Sequence, residues 1–231
     1  MLNLWIFASG SGSNWESIVT KLKNSDVIRV SNIYTDVPDA WVIERANRLD
    51  IPCEVFNANP KIAELNDMIN WKLLEILKRD KIDYIALAWF LPKVPKVLID
   101  DFTHTIIADE IERIKTNIIN IHPWILPWWG KGKYWLGVHK AALEYLNDHP
   151  EIFKMSGLTI HEINENWDDW KILFQKWVSV FENDTPEILQ KRVLKDEHRY
   201  FAPVIEEHAE NDWKINYISV CDRAEDMEWR I

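Results

Sequence analysis

Four short apolar stretches, alternating with three segments of helical spacing, constrain what the first half of this chain can fold into. Leu2 to Ala8, Val27 to Thr35 and Ile51 to Phe56 read as strands, and Ile82 to Ala88 is a continuous apolar run of the kind found in a strand buried on both faces. Between them, Glu16 to Lys23, Asp39 to Leu49 and Ile62 to Lys78 carry apolar residues at helical intervals. A helix between successive strands brings the chain back to run in the same direction. The pattern therefore implies an α/β fold: a Rossmann-like, doubly wound, mostly parallel sheet whose ligands sit beyond the carboxyl ends of the strands.

The second half has a different rhythm. Asp100 to Lys115 reads as a polar, helix-like stretch, Ile118 to Ile121 as a strand and Val138 to Leu146 as a helix. Gly157 to Ile163 and Lys171 to Val180 alternate as an antiparallel pair. Thr185-Pro186 is a helix start, with a capping hydroxyl and a proline in the first turn, and the helix is expected to reach about Glu207. Lys214 to Val220 is a candidate last strand. No linker rich in Gly, Ser or Pro divides the chain, so one domain is expected over residues 1–231: a parallel half to about residue 121, a second half over about 122–220, and a tail.

Composition removes several function classes. With 37 acidic and 27 basic residues the net charge is -10, which argues against a general nucleic-acid-binding surface. The first eight residues lack the basic flank and the length of a signal peptide, and no apolar stretch approaches the roughly 18 residues of a membrane span. Cys53 and Cys221 have no ligand or redox-motif spacing and suit a reducing compartment, so a cytoplasmic protein without a metal centre is expected.

Three places concentrate polar chemistry. Ser9-Gly10-Ser11-Gly12-Ser13-Asn14 joins a strand to a helix, where backbone N–H groups and the helix dipole converge on an anion such as a phosphate. It is neither a Walker loop nor a full GxGxxG, and a plain turn is the other reading. Asn120-Ile121-His122-Pro123 ends a buried strand and leads to Pro127; the prolines make the corner rigid, so that Asn120 and His122 are held toward a substrate or simply brace the fold. Asn166-Trp167-Asp168-Asp169-Trp170 links two antiparallel strands, either as a solvated acidic turn or as a loop that carries Asp168 to the corner. An amide, an imidazole and a carboxylate together suit acyl transfer to an amine, and without an activated Ser or Cys the transfer is direct.

Those segments, with Gly130 to Tyr134, Val138 to Ala141, Ser156 to Glu165 and Arg192 to Pro203, resemble the folate-dependent formyltransferases, and within them the glycinamide ribonucleotide (phosphoribosylglycinamide) formyltransferases of purine biosynthesis. The resemblance implies transfer of formyl from 10-formyltetrahydrofolate to the amine of glycinamide ribonucleotide. It assigns Asn120 to the formyl oxygen, His122 to the oxyanion in an at least partly protonated state, and Asp168 to raising the basicity of His122 and moving protons. Gly12, Ser13 and Asn14 would hold the substrate phosphate and Glu197 its glycinamide or ribose end. Backbone around Phe90, Leu91 and Val94, and around Asp168 and Asp169, would line the pterin pocket, with His139 and His161 in support. A hydrolase releasing formate from the same donor and an inactive binding protein are the rival readings.

The chain departs from that family at Trp41, Trp89, Trp129, Trp135, Trp170 and Trp213, where glycine is usual. An indole at Trp89 or Trp170 should strain the backbone and intrude on the pterin pocket. The chain has 14 Trp and 6 Gly, where average usage of roughly 7% predicts about 16 glycines. Excess and deficit have a common explanation if UGA codons for glycine have been read as tryptophan; genuine tryptophans in an altered or engineered protein are the alternatives.

Overall fold

A computed structural model of the chain describes residues 1–10, 12–56, 67–108, 111–126, 136–149, 154–164 and 171–210. The alternation is present as expected: β1 (Leu2–Phe7), α1 (Ser13–Leu22), β2 (Ile28–Thr35), α2 (Trp41–Arg48), β3 (Cys53–Val55), α3 (Asp67–Arg79) and β4 (Tyr84–Leu87). Then come α4 (Lys96–Asp101), β5 (Thr103–Ala108), β6 (Ile111–Thr116), β7 (Ile118–His122), α5 (Leu136–Asp148), β8 (Met155–Glu162), β9 (Ile172–Ser179) and α6 (Pro186–Glu210). The candidate strand at Lys214 to Val220 lies outside the described residues.

Seven strands form one sheet in the order β3-β2-β1-β4-β7-β8-β9, parallel from β3 to β7 and antiparallel for β8 and β9. From β1 the chain winds outward to β2 and β3 on one side and to β4 and β7 on the other. The order reverses between β1 and β4, which opens a crevice at their carboxyl ends. Both faces of the sheet are covered. Leu4 and Ile6 pack with Trp15, Ile18, Phe201 and Ile205, while Trp5 and Phe7 pack with Leu73, Leu77, Leu98 and Ile118. The period-two split of β1 between two cores is what a strand buried on both sides requires.

One expectation is corrected. Asp100 to Lys115 is not a helix-like stretch: α4 ends at Asp101, and β5 and β6 form an antiparallel hairpin with Thr103 opposite Thr116 and Ala108 opposite Ile111. Glu112, Arg113 and Lys115 make the segment look polar, but Thr103, Thr105, Ile106, Ile107, Ile111, Ile114 and Thr116 are β-branched, and that density favours a strand.

Helix α6 ties the two halves together. Thr185 caps it, its Oγ1 accepting from the Ile188 N–H at 3.4 Å, and Arg192 forks onto Asp184 at 2.6 and 2.7 Å. Midway, the Ser17 hydroxyl of α1 donates to the His198 carbonyl at 2.9 Å. At its end the buried Lys115 ammonium and the Tyr84 hydroxyl both donate to the His208 carbonyl, a cation placed where the helix dipole is negative. A residue late in sequence is thereby held over the end of the first strand.

Candidate active site

The crevice holds two groups of polar residues. The first grows from the end of β7. Asn120 pairs across the sheet with His161 of β8, and its Nδ2 donates to His161 Nε2 at 3.2 Å. His161 Nδ1–H donates to the Glu162 carbonyl at 2.9 Å, which fixes the tautomer and leaves Nε2 as the acceptor. One amide hydrogen of Asn120 is thus used for orientation, and geometry leaves the second for a ligand.

The turn after His122 is rigid for reasons beyond its prolines. Trp124 N–H donates back to the His122 carbonyl at 2.8 Å. The Thr159 hydroxyl donates to the Trp124 carbonyl at 2.7 Å and accepts from Leu126 N–H at 3.1 Å, while Gln175 bridges Thr159 and the Leu126 carbonyl. Two antiparallel strands therefore clamp the corner.

Three histidines meet here. Burial pushes the His122 imidazole down to about 4. His139 of α5 is lowered to about 4 by burial and then by nearby His122, and His161 to about 3 by burial, with His122 opposing its charge as well. Both ring nitrogens of His139 are buried without a hydrogen-bond partner. Packed this way, all three imidazoles are neutral near neutrality. The expectation that His122 is partly protonated therefore needs a nearby anion, and Asp168 and Asp169 lie outside the described residues.

The second group lies between β1, β4 and α6. Gly12 caps α1 in the left-handed region, with φ 77°, and a Cβ there would meet the Trp15 indole nitrogen at 2.1 Å, so only glycine fits. Ser13 opens α1. Asn14 is buried, and its Nδ2 donates to Glu197 Oε2 at 2.7 Å. Glu197 is 0% exposed; burial raises its pKa, while the donors Asn14 and Trp89 pull it back. Its Oε1 and the Asn14 Oδ1 are both buried without a hydrogen-bond partner. Two neighbouring acceptors without donors in a dry site are the property of a pocket that expects hydroxyl or N–H groups from a ligand.

The β4 exit joins the groups. Ser9 N–H donates to the Trp89 carbonyl at 3.2 Å, and Leu91 N–H donates to Ser9 Oγ at 2.9 Å. Ser9 Oγ in turn donates to Asp36. The Phe90 ring packs on Phe7 and Tyr34, and Val94 is buried with Leu98 and Ile99. Leu91 is exposed, so this segment offers its backbone and the Leu91 side chain to a ring-shaped ligand. The Trp89 indole turns to the other side, donating to Glu197 Oε2 at 3.0 Å. Among the sequence-derived residues the structure thus unites Asn120 with His122, and Gly12, Ser13 and Asn14 with Glu197. It gives Ser9, the first residue of the small-residue loop, the role of tying β4 to β1, and it adds Thr159 and Gln175, whose side chains are common in any strand and gave no signal of their own in sequence.

The described residues contain no metal-ligand cluster, and none of their helices is long and apolar enough to cross a membrane. The family described as Formyl transferase matches residues 2–205. A chloroplastic phosphoribosylglycinamide formyltransferase of Arabidopsis thaliana is 35% identical over 207 residues, covering 87% of this chain and 63% of that protein. The phosphoribosylglycinamide formyltransferase of Bacillus subtilis is 30% identical over 203 residues, with 87% and 92% covered. A glycinamide ribonucleotide transformylase from Geobacillus kaustophilus superposes with a TM-score of 0.71 at 30% identity over 90% of this chain and 98% of that one. The chain belongs to the formyl transferase family, on the branch whose named members are phosphoribosylglycinamide formyltransferases.

Proposed function

We propose that this chain moves a formyl group from 10-formyltetrahydrofolate to the amino group of glycinamide ribonucleotide, in the cytoplasm, with its elements working as one formyltransferase domain and no nucleic-acid or membrane partner. The observation that carries the reading is the Asn120 amide: one Nδ2–H is locked on His161, and the other is free to meet an oxygen that gains charge when the amine attacks the formyl carbon. His122 shares that corner, and Asn14 Oδ1 with Glu197 Oε1 offers two open acceptors suited to the hydroxyl or N–H groups of the ribose or glycinamide end, while the backbone N–H groups at the start of α1 suit the substrate phosphate.

The chemistry follows from the charges. Attack by the amine places a negative charge on the formyl oxygen and a positive charge on the nitrogen. Asn120 stabilises the first. A neutral His122 can receive the proton lost by the second and pass it to the departing nitrogen of the folate, restoring both groups. Asp168, acting as an anion beside His122, would offset the burial that favours the neutral ring and hold the proton in transit. Backbone from Phe90 to Val94, with Leu91, would supply an edge for the donor, and the resemblance adds Asp168 and Asp169, which lie outside the described residues; the side chain of Val94 belongs to the core and that of Phe90 packs against it.

The test is an assay with the folate donor, with and without the ribonucleotide. Formyl transfer that requires the ribonucleotide is expected; formate release without it would make the chain a hydrolase. Asp168→Asn should reduce turnover at least a hundredfold with the melting temperature unchanged, and a retained rate would remove Asp168 from its role.

A further inference from the structure

Residue 89 is where the backbone and side chain of the site disagree. Among the described residues three that are not glycine have positive φ: Asp50 at 54°, Lys81 at 50° and Trp89 at 63°. Asp50 and Lys81 lie in turns, and aspartate tolerates this region. A bulky aromatic does not. The backbone at 89 is held there from both sides: Ala88 N–H donates to the Phe7 carbonyl at 2.8 Å, the Trp89 carbonyl accepts from Ser9 N–H, and Leu91 N–H reaches Ser9 Oγ. Relaxing φ would break the link between the ends of β1 and β4, the edge of the crevice.

From that fixed backbone the indole lies against Glu197 and donates to the same Oε2 that Asn14 serves. Glu197 is itself 0% exposed. We propose that residue 89 controls access of a sugar phosphate to Glu197: with tryptophan the ring occupies the acid and closes the pocket, and with glycine, the residue the φ favours, the pocket is open and working. The inference rests on the proposed placement of the ribonucleotide between the α1 start and Glu197. It also draws the tryptophan excess into the site, because Trp41 at 68%, Trp71 at 70% and Trp177 at 43% exposure are large apolar groups with no core to fill.

Trp89→Gly and Trp89→Phe in the whole chain test it. Titrating ribose 5-phosphate by calorimetry, Trp89→Gly should bind at least tenfold more tightly than the parent, and the KM for the ribonucleotide should fall by a similar factor with kcat little changed. Trp89→Phe keeps most of the volume and removes the donor, so it should stay near the parent. Trp89→Gly should also melt no lower than the parent, since it relieves the backbone. Equal affinity of parent and Trp89→Gly, with both folded, overturns the gate. If sugar phosphate binding tightens but no variant transfers formyl, the gate stands and the proposed reaction fails; if all transfer formyl with one KM, the reaction stands and the gate fails. In the native cell a peptide mass with glycine at 89 is expected, and a mass with tryptophan would refute glycine as the working residue.

Discussion

The corner at Asn120 and the pocket at Glu197 lie at the ends of neighbouring parts of one sheet, yet they are built on opposite terms. Around Asn120 the groups that set the geometry are held by the fold: His161 fixes the amide, the Glu162 carbonyl fixes His161, and Thr159 with Gln175 fixes the turn after His122, with the ring of His139 the buried exception. Around Glu197, two acceptors lack donors, and a tryptophan in an unfavourable backbone conformation takes up one carboxylate oxygen. The difference teaches that the bond-making half of the site is preorganised by the fold, while the half that holds the substrate is completed from outside. Preorganisation matters most where charge appears only in the transition state.

The sharpest way to break this contrast is to truncate one residue in each region. Asn120→Ala should lower kcat by about 10²- to 10³-fold, or about 3–4 kcal/mol, with KM for the ribonucleotide little changed. Glu197→Gln should raise KM with kcat held, because its contacts are made to the ground state as well. Steady-state kinetics on both decide it; a KM effect at Asn120 would mean that the corner binds rather than activates.

Next in size is the response to acid. His139 and His161 have pKa values lowered by burial from 6.5 to about 4 and about 3, so the folded state favours their neutral forms. Stability from this source is fully present above 6.5, where neither state binds the proton, and is lost as pH falls through the folded values. Glu162 works in the same direction. Burial alone would raise its carboxyl, but the His208 and Lys171 contacts hold it low, and protonation in acid releases them. Denaturant melts from neutrality down to about pH 4 should show a loss on the order of a few kcal/mol. A flat profile would show that the imidazole cluster opens to water and is not the fixed scaffold the comparison requires.

How much of this was legible beforehand follows the same division. The corner could be read because its signal is local: two prolines, an amide and an imidazole at the end of an apolar run. The β-α alternation could be read because the central strands β1 and β4 are buried on both faces, so hydrophobicity alone marks them, and the helical spacing between strands marks the rest. The hairpin β5–β6 was hidden because Glu112, Arg113 and Lys115 make its second strand look polar, although its β-branched residues set the backbone. Glu197 as a buried partner of Asn14 depends on a helix 183 residues further along the chain, which spacing cannot reveal. The side to which Trp89 turns was also hidden: the expected strain is present, but the indole goes to the acid of the substrate pocket and not to the pterin edge.

The smallest change with a decisive outcome is one methyl group at Gly157. A Cβ there would lie 2.2 Å from the Lys176 carbonyl and 2.5 Å from Ile125 Cδ1, so one neighbour is backbone of β9 and the other belongs to the corner. The side chain of Ile125 can shift, whereas the carbonyl moves only with its strand. Gly157→Ala should therefore cost about 2 kcal/mol by overpacking, read as a lower denaturation midpoint with an unchanged m-value. Because the displaced atoms lead to the Thr159 and Gln175 clamp, kcat should fall as well. Sugar phosphate affinity should not, since the Glu197 pocket hangs on β1, β4 and α6. If affinity falls with kcat, the two regions respond as one body, and the division between a preorganised corner and a ligand-completed pocket is wrong.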